Sequence, residues 1–181
     1  MPSNIIKNIT SSSLDFKSFS KSLLLLMKPR VMSLVIFTCA AGYLTSNSNI
    51  DTLNAIIGIF LVALGAGASG CLNMWYESDI DALMTRTCFR PIPTGKMKKN
   101  HALIYGIFLT IFSVISLNYF ANTLSAFLLL STILFYLFVY TIWLKRKTPQ
   151  NIVIGGVAGA LPPVIGWTIA TNSISLEPIS L

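Results

Sequence analysis

Five long apolar stretches dominate this 181-residue sequence. About 20 mostly apolar residues are enough for a helix to cross a bilayer, and continuous apolar runs favour helices over the alternating strands of a membrane barrel. Charged residues make up only 10% of the chain, where a soluble domain typically carries about 25%. The sequence therefore predicts an all-α integral membrane protein with about five transmembrane helices, at roughly 30–46, 53–75, 101–121, 123–144 and 151–171.

The placement of positive charge predicts the orientation of these spans. All 13 lysines and arginines lie in, or at the edge of, segments that five spans put on one side of the membrane: 1–29, 76–100 and 145–150. Because positively charged loops stay in the cytoplasm, we expect the N-terminus there. The positive net charge is therefore explained by membrane orientation. Because the sequence contains no basic soluble domain, we expect no nucleic-acid partner.

The same distribution suggests a simple domain organisation. Residues 1–27 are rich in serine and lysine and are expected to form a cytosolic tail, followed by one membrane domain over 28–181. We expect a multi-pass protein of a bacterial inner membrane, in contact with membrane lipid. The mitochondrial inner membrane is the less favoured alternative, because the leader has an acidic residue and no arginine before position 30.

Acidic residues are concentrated in one stretch, NMWYESDIDALMTRTCFRPIPTG, at 73–95. Three of the six acidic residues of the chain lie there within five positions: Glu77, Asp79 and Asp81. Acidic groups beside a membrane span are unfavourable unless they have a function or are solvated. The stretch is therefore the first candidate for a functional site.

The spacing of these residues predicts a column of oxygen ligands. If the second span continues as a helix to about Leu83, Asn73, Glu77 and Asp81 share one face and Asp79 points nearly the opposite way. Amide and carboxylate oxygens suit Mg²⁺, which usually shares its coordination with substrate phosphates. The alternative is that the carboxylates are solvated and paired with the arginines that follow, and the spacing alone leaves both possibilities open.

The fifth span contains GGVAGALPPVIGW at 155–167. Four glycines and two adjacent prolines predict a bent or broken helix, which a membrane tolerates only against protein or a cavity. Tight helix packing and the shaping of a pocket are both open as its role.

The pattern Asn-x3-Glu-x3-Asp is similar to the first acidic motif of the UbiA-like intramembrane prenyltransferase superfamily, usually Asn-Asp-x2-Asp-x3-Asp. Here Met74 stands where the second residue is often Asp, and Glu77 replaces the first spaced Asp. NMWYESDIDALMTRTCFRPIPTGKM, together with KPRVMSLVIFTCAAGY at 28–43 and LKRKTPQNIVIGGVAGALPPVIGW at 144–167, resembles the haem O synthases, the protohaem IX farnesyltransferase branch. The resemblance extends over about 28–181.

This resemblance implies an activity and a set of site residues. Members transfer the farnesyl group of farnesyl diphosphate to the vinyl group of protohaem IX (haem B), which gives haem O in haem A biosynthesis. It implies Mg²⁺ as cofactor, held by the catalytic residues Asn73, Glu77 and Asp81. It also implies that the diphosphate is bound by Arg86, Arg90, Lys145 and Arg146.

The resemblance also implies a longer protein. Members have about nine spans and a second acidic motif, whereas this sequence ends at LEPISL soon after the fifth span. It therefore corresponds to the N-terminal half, apparently truncated. The alternatives are an inactive truncated or split half, a second chain that supplies the missing half, or a prenyltransferase acting on a quinone precursor.

Overall fold

The structure, a computed structural model, describes residues 16–46, 52–145, 147, 150–175 and 177–179. The described residues form helices and no strands, which confirms the all-α prediction. The helices are α1 (Phe16–Leu26), α2 (Pro29–Thr45), α3 (Thr52–Tyr76), α4 (Ser78–Leu83), α5 (Lys99–Phe120), α6 (Thr123–Leu134) and α7 (Asn151–Thr171), with a π-helix (Phe135–Leu144) that continues α6 and a short 3-10 helix (Glu177–Ile179).

Four helical segments are long and apolar enough to cross a membrane: α3, α5, α6 with its π-helix, and α7. A fifth is formed if α1 and α2 count as one span, bent by 49° at Lys28. Lys28 has a φ of 53°, in the left-handed region, and Pro29 follows it. Since proline disfavours helical geometry in the residue before it, the break lies where the sequence requires one.

Helix α1 falls within the segment expected to be a tail. It packs on the bundle through the fully buried Leu26, beside the buried Met27 of the α1–α2 break. A Cβ at Gly67 of α3 would meet Met27, and one at Gly70 would approach the Leu26 carbonyl oxygen, so small residues on α3 make room for this contact. Helical structure therefore begins before residue 28, while residues 1–15 lie outside the described part.

Helix α3 lies at the centre of the bundle. In the most apolar 18-residue stretch of α3, 67% is buried, whereas the corresponding share for α5 is 22%. The stretch GAGASG at 65–70 allows neighbouring helices to come close, and a Cβ at Gly106 of α5 would meet the side chain of Leu72. Helix α3 therefore fixes the positions of the side chains that follow its last turn.

Helix α7 runs without interruption through Pro162 and Pro163, so of the predicted bent or broken helix the break is not present. Its second half packs directly on the backbone of α2. A Cβ at Gly166 would overlap the Cys39 carbonyl, and one at Gly42 would overlap the Pro163 carbonyl. These glycines therefore remove the side chains that would keep the two helices apart.

Neutral hydrogen bonds join the start of α6 to the end of α7. Asn122 caps α6, because its Oδ1 accepts from the Ser125 N–H (2.8 Å) and the Ser125 hydroxyl (2.9 Å). The Asn122 amide donates to the Thr168 carbonyl (2.7 Å), and the Ser125 and Thr168 hydroxyls are 3.0 Å apart. We call the region of Asn122, Ser125, Gly166 and Thr168 the packed end.

Candidate active site

The predicted acidic column is present where α3 passes into α4. The helix is interrupted at Glu77, but backbone bonds from the Glu77 N–H to the Asn73 carbonyl (3.0 Å) and from the Asp81 N–H to the Glu77 carbonyl (2.8 Å) preserve the helical spacing. The three residues are 1%, 4% and 3% exposed, whereas Asp79 is exposed. They therefore lie on one inward face, with Asp79 directed elsewhere.

Both buried carboxylates are paired with a cation. The Lys145 ammonium lies 2.5 and 2.6 Å from the two Glu77 carboxylate oxygens. The Arg90 guanidinium donates to Asp81 Oδ2 at 2.6 Å. Because an unpaired buried carboxylate is strongly unfavourable, these cations stabilise the column in the absence of a ligand.

Asn73 is held by two polar groups from distant parts of the chain. The Lys28 ammonium donates to its Oδ1 at 2.6 Å, and its amide donates to the Thr141 hydroxyl at 3.3 Å. Thr141 in turn donates to the Tyr136 carbonyl at 2.9 Å. The Asn73 amide is therefore fixed with its oxygen toward a cation.

A reversal of the chain after α4 returns Arg90 to the column. Met84 has extended geometry, and the N–H groups of Thr87 and Cys88 both donate to its carbonyl. The Thr87 hydroxyl also donates to the Asp81 carbonyl at 3.1 Å. This reversal supplies the change of direction that Arg90 needs, since on a straight helix it would point away from the acidic column.

One of the residues expected to bind diphosphate is not brought to the column, and another lies outside the described residues. Arg86 is exposed at the reversal, and no ion pair joins it to another described residue. Arg146 lies outside the described residues, so its predicted role stays a prediction. Lys145 and Arg90 are the two expected cations that lie at the column.

Lys28 was not singled out from the sequence, although it belongs to the same group of charges. It interacts electrostatically with Glu77, Asp81, Arg90 and Lys145, and we call these five residues the charged cluster. Three cations face two carboxylates, which leaves one positive charge in excess. A bound anion would neutralise this excess.

An apolar cavity of about 220 Å³ extends from the charged cluster into the bundle. Lys28 and Tyr136 form part of its wall, and the remaining wall comes mainly from aliphatic and small residues of α2, α3, α6 and α7. Those used below are Val62, Ala66, Gly70, Gly155, Gly159 and Ile165. The site thus combines a charged cluster at one end with an apolar interior.

The π-helix brings Tyr136, Thr141 and Lys145 to the site. Its i→i−5 bonding is seen in the Lys145 N–H to Tyr140 carbonyl contact of 3.0 Å. The Tyr136 and Tyr140 rings stack with centroids 5.0 Å apart, and the Lys145 ammonium lies 5.7 Å from the Tyr140 ring centroid. The sequence predicted only an apolar span here, because α- and π-helices share the same hydrophobic signal.

The column suits a cation that brings ligands of its own. Among the described residues, no three His, Cys, Asp or Glu side chains cluster closely enough to form a metal site by themselves. Mg²⁺, however, commonly uses one or two carboxylates together with substrate phosphates. Glu77, Asp81 and the Asn73 amide oxygen fit that second kind of site.

Comparison with known proteins identifies the family of this chain. Residues 34–181 match the UbiA prenyltransferase family, and the chain belongs to this family. It is 70% identical over 175 residues to the protoheme IX farnesyltransferase of Pelagibacter ubique, and 58% identical over 156 residues to protoheme IX farnesyltransferase 2 of Mesorhizobium japonicum. These alignments include 97% and 86% of this chain but 57% and 50% of the relatives. The chain thus spans about half the length of the curated relatives it matches.

Two solved structures share the fold. They are of a UbiA homolog from Archaeoglobus fulgidus, bound to DMAPP and Mg²⁺ in one and to GPP and Mg²⁺ in the other. The TM-scores are 0.67 and 0.68, with 19% and 20% identity. Each alignment covers 86% of this chain and 56% of the other, and at this identity the likeness concerns the fold alone. A helical, multi-pass membrane protein of the UbiA fold is thereby established.

Proposed function

We propose that this chain transfers the farnesyl group of farnesyl diphosphate to the vinyl group of protohaem IX, giving haem O for haem A biosynthesis. The observation that carries the proposal is the charged cluster at the head of an apolar cavity. This arrangement suits a molecule with a diphosphate head and a hydrocarbon tail. The farnesyltransferase relatives favour protohaem as the acceptor over a quinone precursor.

Asn73, Glu77 and Asp81 are the proposed Mg²⁺ ligands. The bound ion would lower the energy of the negative charge that develops on the departing diphosphate. The similar fold with bound Mg²⁺ and prenyl diphosphates supports this assignment. In the free protein, Lys28, Arg90 and Lys145 occupy the oxygens that the ion would need.

Arg90 and Lys145 are the proposed diphosphate ligands, together with Lys28. Each donates to a column residue at 2.5–2.6 Å, so a small movement can redirect each side chain to a phosphate oxygen. Guanidinium and ammonium groups both bind phosphate well. Arg86 and Arg146 remain proposed contributors, although Arg86 is exposed away from the column and Arg146 lies outside the described residues.

The depth of the cavity suits a farnesyl chain. Along α7 the wall extends from Gly155 to Ile165, ten residues or about 15 Å, and along α3 from Gly70 to Val62, about 12 Å. Each isoprene unit adds four carbons to the chain length, about 5 Å when extended. Two to three isoprene units therefore fit below the charged cluster.

The chain's own side chains would direct the bond changes. The allylic C–O bond breaks, and its electron pair leaves with the diphosphate, whose charge the three cations stabilise. The vinyl group of protohaem forms the new C–C bond, water supplies the hydroxyl group of haem O, and its proton leaves with the diphosphate. The apolar cavity limits water near the allylic carbon, which favours this outcome over hydrolysis.

The proposed location is a bacterial inner membrane with the charged cluster at the cytoplasmic side. The grouping of all lysines and arginines supports this orientation. Cys88 lies in the loop after α4 and is more accessible than the buried Cys39 and Cys71. A membrane-impermeant maleimide should label Cys88 in inverted vesicles and spare it in intact spheroplasts; the opposite pattern would contradict the orientation.

The test of the activity is haem analysis in a host that lacks haem O synthase. The 181-residue chain is expressed in its membranes, farnesyl diphosphate is added, and the haems are extracted for chromatography and mass spectrometry. The expected result is a haem O peak that Asp81→Asn abolishes, with a relative of full length as the positive control. A well-expressed chain that binds Mg²⁺ and pyrophosphate but gives no haem O would overturn the transfer activity and leave a diphosphate-binding protein.

A further inference from the structure

The described wall of the cavity contains three glycines, and they differ in the space around them. A Cβ at Gly70 would lie 3.2 Å from the Leu26 carbonyl oxygen, and a Cβ at Gly155 would overlap the Tyr140 ring. A Cβ at Gly159 would have no described atom within 4 Å. A side chain at Gly70 or Gly155 would therefore press on atoms already packed there, whereas Gly159, which is exposed, has open space beside it at the cavity wall.

Gly159 lies at middle depth. Gly155 marks the head of the cavity, because it contacts the Tyr140 ring beside which Lys145 lies. Gly159 is one helical turn deeper, about 6 Å, and Ile165 is about 9 Å deeper again. A chain that enters from the charged cluster reaches Gly159 after about one isoprene unit.

We propose that Gly159 sets the length of prenyl chain that the cavity accepts. The inference rests on the proposed function, since it assumes that the diphosphate head lies at the charged cluster. A side chain at 159 would project into space that the second and third isoprene units otherwise occupy. The first unit, above this level, would be unaffected.

The chain offers a matched control in Gly156. It lies on the same helix, a Cβ there also meets no described atom within 4 Å, and it is not part of the cavity wall. Replacing either glycine makes the same chemical change in the same helix. A difference between the two variants therefore reports the cavity and not the helix.

The experiment measures binding to the purified 181-residue chain in nanodiscs, with labelled inorganic pyrophosphate and Mg²⁺ as the probe. Dimethylallyl, geranyl and farnesyl diphosphates compete with the label. For the unsubstituted chain, affinity should rise with each isoprene unit, because each buries more apolar surface. Gly159→Leu should lower the affinity for farnesyl diphosphate at least tenfold and the affinity for geranyl diphosphate less. The affinities for dimethylallyl diphosphate and pyrophosphate should stay within about twofold of those of the unsubstituted chain.

Gly156→Leu should leave all four affinities unchanged. If Gly159→Leu weakens the binding of pyrophosphate as much as that of farnesyl diphosphate, or leaves all four affinities unchanged, the inference is overturned. If the unsubstituted chain does not bind pyrophosphate with Mg²⁺, the proposed function itself fails. The two failures are thus distinguishable, because pyrophosphate has no chain to probe the cavity.

A graded series covers the case in which leucine prevents folding. Gly159→Ala and Gly159→Val add smaller side chains at the same point. The loss of farnesyl affinity should grow in the order Ala, Val, Leu while pyrophosphate binding stays constant. A series without this order would contradict a steric limit at Gly159.

Discussion

The two ends of the helix bundle are held together by different forces. At the packed end, Gly166 places α7 on the backbone of α2, and neutral hydrogen bonds join Asn122 to Thr168. At the opposite end, ion pairs such as Lys145–Glu77 join the end of the π-helix to the end of α3 beside an open cavity. The contacts at the packed end are close backbone contacts and neutral hydrogen bonds, whereas those of the charged cluster are the contacts that the proposed function exchanges for ligand contacts. Stability and binding are therefore separable, and substitutions at the two ends should affect different measurements.

Gly166→Val should have the largest effect on stability. The new side chain would overlap the Cys39 carbonyl, and a backbone group cannot move aside as a flexible side chain can. We expect a loss of at least about 3 kcal/mol in the free energy of unfolding, or failure to fold. Thermal unfolding in detergent and size-exclusion chromatography measure this, with Gly156→Val as the control that should fold; equal behaviour of the two variants would remove the distinction between the ends.

Asp81→Asn should have the largest effect on binding. With Mg²⁺, loss of a carboxylate ligand should weaken pyrophosphate binding by about a hundredfold. Without Mg²⁺ the sign reverses, because the charged cluster gains net positive charge and should bind the anion at least as well as before. Calorimetry with and without Mg²⁺ measures both. Parallel weakening in the two conditions would show that Asp81 acts only in folding, and Asp79→Asn is the exposed control.

Asn122→Ala tests the packed end more gently. It removes the cap of α6 and the 2.7 Å hydrogen bond to the Thr168 carbonyl. We expect about 2 kcal/mol of destabilisation with unchanged pyrophosphate affinity. Thermal unfolding and pyrophosphate titration of the same sample would reveal any coupling, and a change in affinity would mean that the two ends are not independent.

Gly156→Ala should have the smallest effect, and it should be stabilising. The position is exposed, lies inside α7, and has free space for a methyl group. Alanine loses less backbone freedom on folding than glycine, so we expect about 0.5–1 kcal/mol of added stability. A shift of the melting temperature to a lower value would show that this part of α7 needs its glycine.

The sequence was sufficient for the spans and for the acidic column. Apolar runs define the membrane helices, and the spacing of Asn73, Glu77 and Asp81 holds even though the helix is interrupted at Glu77. The two roles left open for the fifth span are both present, since Gly166 serves packing and Gly159 borders the cavity. Local periodicity was enough for the spans and the column.

The cationic partners were harder to predict. Lys28 and Lys145 reach the column across 45 and 68 positions of sequence, and no local pattern reports such a contact. Arg86 and Arg90 looked equivalent in sequence, yet the reversal at Met84 brings only Arg90 to the acidic face. The missing information was the path of the chain between helices.

The geometry of the π-helix determines which side chains of this span face the site. Its wider turns use more residues for the same rotation than an α-helix does, so Phe135–Leu144 contains, in effect, an insertion. If the same ten residues formed an α-helix instead, the span would still be long enough to cross the bilayer. Each residue would then turn further about the helix axis, and Lys145 would rotate away from Glu77. This span must therefore keep its helical geometry as well as its hydrophobicity.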